Sequence, residues 1–402
     1  MATSPHPGRQ APLRVLFWGT YDLSKPRTRI LINGLRENGA HVDECHVSVW
    51  ETVRDKGTLT FSSLAERLLR TGAAYPSLIA HFLKARRPDV VMVAYLGQLD
   101  VLLLWPFARL RGVPVVWDQF ISLYDTVVND RGRLSARHPF ARALYVWEWV
   151  ACRAADCVVI DTREHAAYVA RLFGLNSEKV KSVWVGAETS IFSPTAMAPR
   201  EGRDTTNRPL TVLFYGQLIP LHGVDTIVRA ARLLEGHPIH FVLIGSGQEG
   251  PRVQQLLSDH PLANLEWVPW VEYEHLNEHI RNADVCLGIF GKTAKAGRVI
   301  PNKVFQIVAA RRPLVTRDSP AIRELFGERA DGVRLIRPGD PQALADALLS
   351  FANDRASLSA SADLRNDITP TAIGRQLLAV LRRVACLDEV SLKARARRRA
   401  PG

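Results

Sequence analysis

Short apolar runs alternate along the chain with longer stretches in which apolar residues recur every three or four positions, the pattern of strands alternating with helices in a doubly wound parallel sheet. The first run, Leu13–Trp18, reads as a strand. It enters the turn Gly19-Thr20-Tyr21-Asp22, a helix around Arg29–Asn38 and a second extended run, His41–Ser48. Further strands are predicted at Val90–Ala94, Val113–Trp117, Asp156–Ile160 and Val180–Val185, with helices at Pro139–Ala155 and Arg163–Phe173. A polar, turn-rich stretch without an apolar face spans 196–209 and reads as a linker. A second series opens with Leu210–Tyr215 and a helix presenting Val224, Ile227, Ala231 and Leu234 on one face. It continues through Ile239–Ile244, Leu265–Val268, Asp284–Leu287, Val304–Ala310, Pro313–Thr316 and Gly332–Ile336. The reading is α/β: two tandem Rossmann-like domains, 13–195 and 210–370, facing across a cleft. A helix over 371–390 that crosses back to the first domain follows, and disordered tails lie at 1–12 and 391–402.

Composition narrows this picture. A chain of 402 residues, 47% hydrophobic and 23% charged, is too long for one ordinary core and too apolar for disorder. The net charge of +12 is partly a property of the end of the chain, where Lys393, Arg395, Arg397, Arg398 and Arg399 crowd together; no recognition motif accompanies them, so nucleic acid is not an expected partner. Five scattered cysteines, Cys45, Cys152, Cys157, Cys286 and Cys386, have no metal-site spacing and point to a reducing compartment. With no apolar leader in the first residues and no uncharged run of about 20, the expectation is a cytoplasmic chain without a spanning helix. Basic residues Arg67, Arg70, Lys84, Arg86 and Arg87 flank the apolar, helix-compatible stretch Leu68–Phe82, which makes peripheral contact with an anionic membrane a possibility to test.

Two segments carry candidate chemistry. Gly245-Ser246-Gly247-Gln248-Glu249-Gly250 is a G-x-G-x-x-G after a strand, with Glu266 about twenty residues on, as a dinucleotide site would show. It sits on a later strand of its domain, however, and Pro251 follows at once, so a tight turn feeding a helix is the preferred reading. The second segment is Lys292 to Lys303. Only nine of the 52 basic residues are lysine, and Lys292, Lys295 and Lys303 lie here with Arg298 and Asn302, between a strand and the start of a helix. Cations converging on a helix N-terminus make a site for a diphosphate.

From Leu210 onward the chain resembles the donor-binding domain of GT-B glycosyltransferases of the family 4 type. The resemblance rests on Phe214-Tyr-Gly216-Gln217-Leu218, Leu221-His222-Gly223-Val224-Asp225 and Leu243-Ile-Gly245-Ser-Gly247, followed by Asn282-Ala-Asp284-Val285. It continues through Pro301-Asn302-Lys303 to Gln306, Pro313-Leu-Val315, Arg323-Glu324-Leu325 and Pro338-Gly-Asp340. The first half is similar more loosely, at Ala155-Asp156 and from Trp184 to Pro194. The resemblance implies retaining transfer of a sugar from a nucleoside-diphosphate sugar to a hydroxyl acceptor, a glycan or lipid-linked molecule of cell-surface assembly, with no separate cofactor. Since the sequence has no D-x-D, metal independence is the expectation.

Departures from the family shape the candidate site. The usual phosphate-facing Arg and Lys are replaced by Gln217 and His222, and the two glutamates spaced eight apart by Arg298 and Gln306. The resulting expectation is a relocation of charge. Lys295, Arg298 and Lys303 neutralise the diphosphate, with Gly19, Gly216, Gln217, Gly245, Gly247, Asn302, Gln306 and Glu324 completing the donor site. On the acceptor side, Asp118 at the end of its strand is the candidate for aiming the hydroxyl or taking its proton. Tyr21, Arg27, Arg29, Tyr124 and Asp125 are its candidate neighbours. The helix Tyr145-Val-Trp147-Glu-Trp149 is expected to pack in the core. Two alternatives remain open: an NAD(P)-dependent oxidoreductase or epimerase using Gly245, Gly247 and Gly250, and a non-catalytic partner protein of the same fold.

Overall fold

The computed structural model describes residues 11–49, 61–194, 208–328, 331–355, 358 and 363–399, with 61–68, 363 and 387–399 described through the backbone only. The expected N-terminal tail up to residue 10 and the linker up to residue 207 lie outside the described residues. The first sheet is built from β1 (Arg14–Gly19), β2 (His41–His46), β3 (Val90–Val93), β4 (Val115–Asp118), β5 (Cys157–Ile160) and β6 (Val180–Ser182). The second holds β7 (Leu210–Tyr215), β8 (Ile239–Ile244), β9 (Leu265–Val268), β10 (Val285–Leu287), β11 (Leu314–Arg317) and β12 (Val333–Ile336). All pairings are parallel, in the orders β2-β1-β3-β4-β5-β6 and β12-β11-β10-β7-β8-β9.

Strands covered on both faces must be apolar at every position. In β1, Leu16 and Trp18 enter one core layer while Val15 and Phe17 enter the other. The first layer is closed by the helices Phe61–Lys84, Gln98–Arg111, Pro139–Ala154 and Arg163–Phe173. Tyr75, Leu78 and Phe82 are buried there, so the stretch considered for membrane contact turns its apolar face into the core. The helix Pro139–Ala154 corrects the opposite expectation: it buries Leu144 and Glu148 but leaves Val146 and Trp149 on the surface.

The other layer of the first domain is completed by the end of the chain. The helix Pro370–Arg399, continuous past residue 390, packs along Pro26–Glu37 and contributes Ile373, Leu377, Leu378 and Leu381 to that core. The two helices touch backbone to backbone: a Cβ on Gly374 would lie 2.0 Å from the Gly34 carbonyl carbon, and one on Gly34 would lie 2.1 Å from the Pro370 oxygen. In an open helix Gly→Ala stabilises by about 1 kcal/mol. Gly374→Ala is expected instead to destabilise by about 1–3 kcal/mol through overpacking, read as a lower urea midpoint.

Candidate functional site: a cleft between two sheets

The carboxyl ends of the central strands face one another across a cavity of about 430 Å3. Its walls are Gly216, Gln217, His222, Lys295, Asn302, Lys303 and Gln306 from the second domain and Phe120, Thr126, Asp130, Arg131 and Asp161 from the first. A hollow of about 500 Å3 beside the edge strand β6 and the C-terminal helix lies away from these loops, so the cleft is the better candidate.

Lys303 is the feature that distinguishes this cavity. It stands at the start of the helix Asn302–Ala309, which no side chain caps, and is only 5% exposed. Its Nζ lies 3.7 Å from the centre of the Phe214 ring and has no hydrogen-bond partner. Burial pushes its pKa far below the ordinary lysine value. Gly216 makes room for it, since a Cβ there would come within 3.0 Å of Nζ. His222 bonds the Gln217 carbonyl oxygen through Nδ1, and burial, reinforced by the neighbouring Lys303 whenever that is charged, holds its pKa well below the ordinary histidine value.

The other expected donor residues divide into those that reach the cavity and those that do not. Gln306 lines it, but Oε1 accepts from Tyr215 (3.1 Å) and Nε2 approaches the Tyr273 hydroxyl (3.5 Å). Gly245 and Gly247 serve loop packing: a Cβ on Gly245 would collide with the Gly216 oxygen at 1.9 Å, and one on Gly247 would lie 2.9 Å from the Leu218 oxygen. That role accounts for the G-x-G spacing without a dinucleotide. Gly19 is pressed against Asp100, which also accepts from the Thr20 amide (2.9 Å) and the Tyr75 hydroxyl (2.6 Å). Glu324 accepts from the amides of Arg163 and Glu164, both at 3.0 Å, and so caps a first-domain helix across the cleft.

Arg298 and Lys295 are held by the first domain. Asp125, fully buried, accepts from Arg298 Nη2 (3.2 Å), the Tyr168 hydroxyl (2.8 Å) and Asn129 (3.2 Å), and Lys295 Nζ lies 3.4 Å from its other oxygen. Burial alone would raise the Asp125 carboxyl; Lys295, the two hydrogen bonds and Arg298 outweigh it and hold the pKa below the ordinary value. Lys295 also donates to Thr126 Oγ1 (2.7 Å), Thr293 donates to Asp130 (3.1 Å), and Thr162 donates to the Arg298 carbonyl oxygen. Asp125 is therefore a bridge between the domains. Arg298 stacks 3.5 Å over Tyr168, outside the cavity wall.

On the acceptor side the geometry corrects the sequence reading. Asp118 is fully buried, and its oxygens accept from Arg27 Nε (2.8 Å) and Nη2 (2.9 Å); Arg27 also donates to the Val183 carbonyl oxygen (3.1 Å) and lies over Phe120. Arg29 grips both oxygens of Glu188 at 2.7 Å, and Tyr273 of the second domain donates to the same carboxylate (2.9 Å). Tyr21 is buried against His46 and bonded to Glu44 (3.3 Å). Tyr124 packs on Tyr145. Of the expected acceptor-side residues, Asp118, Tyr21, Arg27, Arg29, Tyr124 and Asp125 do not line the cavity.

Sequence reasoning missed the residues that shape the first-domain wall. Glu148, buried amid an aromatic helix, accepts from Ser122 Oγ (2.6 Å), the Leu123 and Tyr124 amides (2.7 and 3.1 Å) and Gln98 (2.9 Å), and burial raises its carboxyl. It fixes the loop that carries Asp125 to Asp130. Asp161, one residue past β5, lines the cavity and bonds His165 Nδ1 at 2.6 Å. The one available signal for Glu148 was a lone acid inside a helix otherwise apolar on that face.

The chain matches known proteins in both halves. Residues 24–186 match the glycosyl transferase 4-like domain model, and residues 209–354 match the model of glycosyl transferases group 1. D-inositol 3-phosphate glycosyltransferases of Thermomonospora curvata and Xylanimonas cellulosilytica are 30% and 29% identical over 220 and 233 residues, covering 48% and 52% of this chain. The chain spans about half the length of these curated relatives. Among solved structures, Anabaena Alr3699/HepE in complex with UDP shares the fold with a TM-score of 0.65 at 13% identity, over 92% of this chain and 99% of that one. Sucrose-phosphate synthase of Thermosynechococcus elongatus does so with a TM-score of 0.63 at 16% identity, over 97% and 100%. With a glycosyltransferase model matched on each side of the cleft and two Rossmann-like sheets facing across it, the chain belongs to the group 1 glycosyltransferases of the GT-B fold.

Proposed function

We propose that the chain transfers a sugar from a nucleoside-diphosphate sugar to a hydroxyl acceptor, with Lys303 as the group that receives the donor's diphosphate. The observation that carries this reading is the buried Lys303 amine at the cavity wall, whose nitrogen has no hydrogen-bond partner. Burial without a partner disfavours the charged form of this amine, and an arriving diphosphate supplies the counter-charge that restores it. As the bond from the anomeric carbon to the phosphate oxygen breaks, negative charge grows on the departing diphosphate. A cation already in place stabilises that charge without reorganisation. Alr3699/HepE was solved with UDP-glucose as well as UDP, which makes a uridine diphosphate sugar the first donor to test here. Retention of configuration, independence of metal, and a glycan or lipid-linked acceptor in cell-surface assembly belong to the same proposal.

The test is a thermal-shift panel of UDP, GDP, ADP, dTDP and NAD, followed by turnover with the matching sugar nucleotide. One nucleoside diphosphate at a hundred times its Kd should add about 2.7 kcal/mol of stability. NAD should add none, and turnover should persist in EDTA. A shift with NAD alone, or no shift with any diphosphate, overturns the reading.

A further inference from the structure

The surface of the first domain is unevenly built. Among the described residues, eleven large hydrophobic side chains are exposed, and nine of them lie between Leu69 and Val150. They include Trp105 (40% exposed) and Leu110 (80%) on the helix Gln98–Arg111, and Phe140 (58%), Val146 (55%) and Trp149 (37%) on Pro139–Ala154. These two helices pack side by side on one face of the sheet. Their only carboxylates, Asp100 and Glu148, are buried and committed to hydrogen bonds. From Leu69 to Ala155 the one exposed carboxylate is Asp89, which accepts from the Arg14 amide. Exposed cations are interspersed with the apolar residues along the same span of sequence: Lys84, Arg86, Arg133, Arg137, Arg142 and Arg153. Arg153, which donates to the Phe173 and Gly174 carbonyl oxygens, lies 3.8 Å over the Trp149 ring, and Arg109, paired with Asp156 at 2.7 Å, lies 6.0 Å from the Trp105 ring centre, which leaves Arg133, Arg137 and Arg142 as the cations for lipid phosphate.

We infer that this face docks on an anionic lipid bilayer. Tryptophan and arginine side by side suit the headgroup layer, where the ring has an apolar body and a polar edge and the guanidinium meets lipid phosphate. A face with cations and no free carboxylate is attracted to a negative surface, each basic residue near it contributing about fivefold in binding. The docking elements are the outer sides of Gln98–Arg111 and Pro139–Ala154, not the stretch 68–82. Phe140 and Arg137 adjoin the loop whose Arg131 lines the cleft, so the docked face would run up to the site.

The experiment is co-sedimentation of the full chain with phosphatidylcholine vesicles made with and without phosphatidylglycerol. Binding is expected only to the anionic vesicles and is expected to weaken with added salt. Trp105→Ser with Trp149→Ser, and separately Arg137→Glu with Arg142→Glu, should each weaken partitioning at least fivefold, while Trp270→Ser on the second domain leaves it unchanged. Brominated lipids should quench the tryptophan fluorescence of the unaltered chain, a readout independent of the variants' folding. No binding to anionic vesicles, equal binding by the paired tryptophan variant, or binding to an oligonucleotide in preference to vesicles overturns the inference.

Discussion

Lys303→Met is expected to abolish most activity while making the protein more stable. Loss of the cation that meets the departing diphosphate should cost about 10²–10³-fold in kcat/KM, the scale seen when a preorganised charge-stabilising group is removed. The same change replaces a buried amine without a hydrogen-bond partner by an apolar side chain of similar length, beside Phe214 and Gly216. Its melting temperature should therefore rise, since an unsatisfied buried polar group has been removed. Activity and melting temperature measured on one preparation check both halves. A variant that keeps its turnover shows that the diphosphate is held elsewhere.

The pH dependence follows with a definite sign. In the empty site burial favours the neutral amine, and a bound diphosphate favours the ammonium. Binding therefore takes up a proton at any pH between the free and bound pKa values. Affinity for the nucleoside diphosphate should fall as pH rises through that window, by up to about tenfold per unit. His222, its own pKa depressed, stays neutral and does not compensate. Titration calorimetry in buffers of different ionisation enthalpy reads the proton uptake directly.

Asp118→Ala is expected to act on folding. Removing one member of a fully buried ion pair leaves the other uncompensated, at a cost of about 3–5 kcal/mol. Arg27, 1% exposed, has no route to solvent, and its other hydrogen bonds reach only the carbonyl oxygens of Val183 and Trp184. For a domain of this size the fall in melting temperature is roughly ten degrees. Arg27→Met combined with Asp118→Leu should recover much of that loss, because an apolar pair of similar volume leaves no lone charge behind. A single Asp118→Ala variant with normal melting and no turnover would restore Asp118 to the role of proton acceptor.

Much of the fold was readable because parallel strands buried on both faces leave continuous apolar runs. Of the glycines and cations that stand out near the strand ends, Gly216, Lys295 and Lys303 line the cleft, whereas Gly19, Gly245, Lys292 and Arg298 do not. Partnership was not readable. Arg27 and Asp118 are 91 residues apart, and Asp125 and Arg298 are 173 apart in different domains. Local sequence shows such residues only as charges near strand ends, where a ligand contact and a buried ion pair look alike. Arg298 and Asp125 thus read as residues of opposite substrates, whereas the fold joins them to each other. Lys303 differs because the residues around it, Phe214, Gly216 and His222, offer no anion.

The helix that closes the first domain from the end of the chain also sets an order of assembly during synthesis. The second sheet is contiguous in sequence and can form as soon as it leaves the ribosome, whereas the surface of Pro26–Glu37 that receives Ile373, Leu377 and Leu381 must wait for them. At 5–20 residues per second, the nearly 190 residues separating Pro194 from Leu381 impose a delay of roughly 10–40 s. During it the N-terminal half, though made first, matures last. Its uncovered leucines and isoleucines are then a natural substrate for chaperones, and a ribosome that stalls late releases a chain with a finished second domain and an unfinished first.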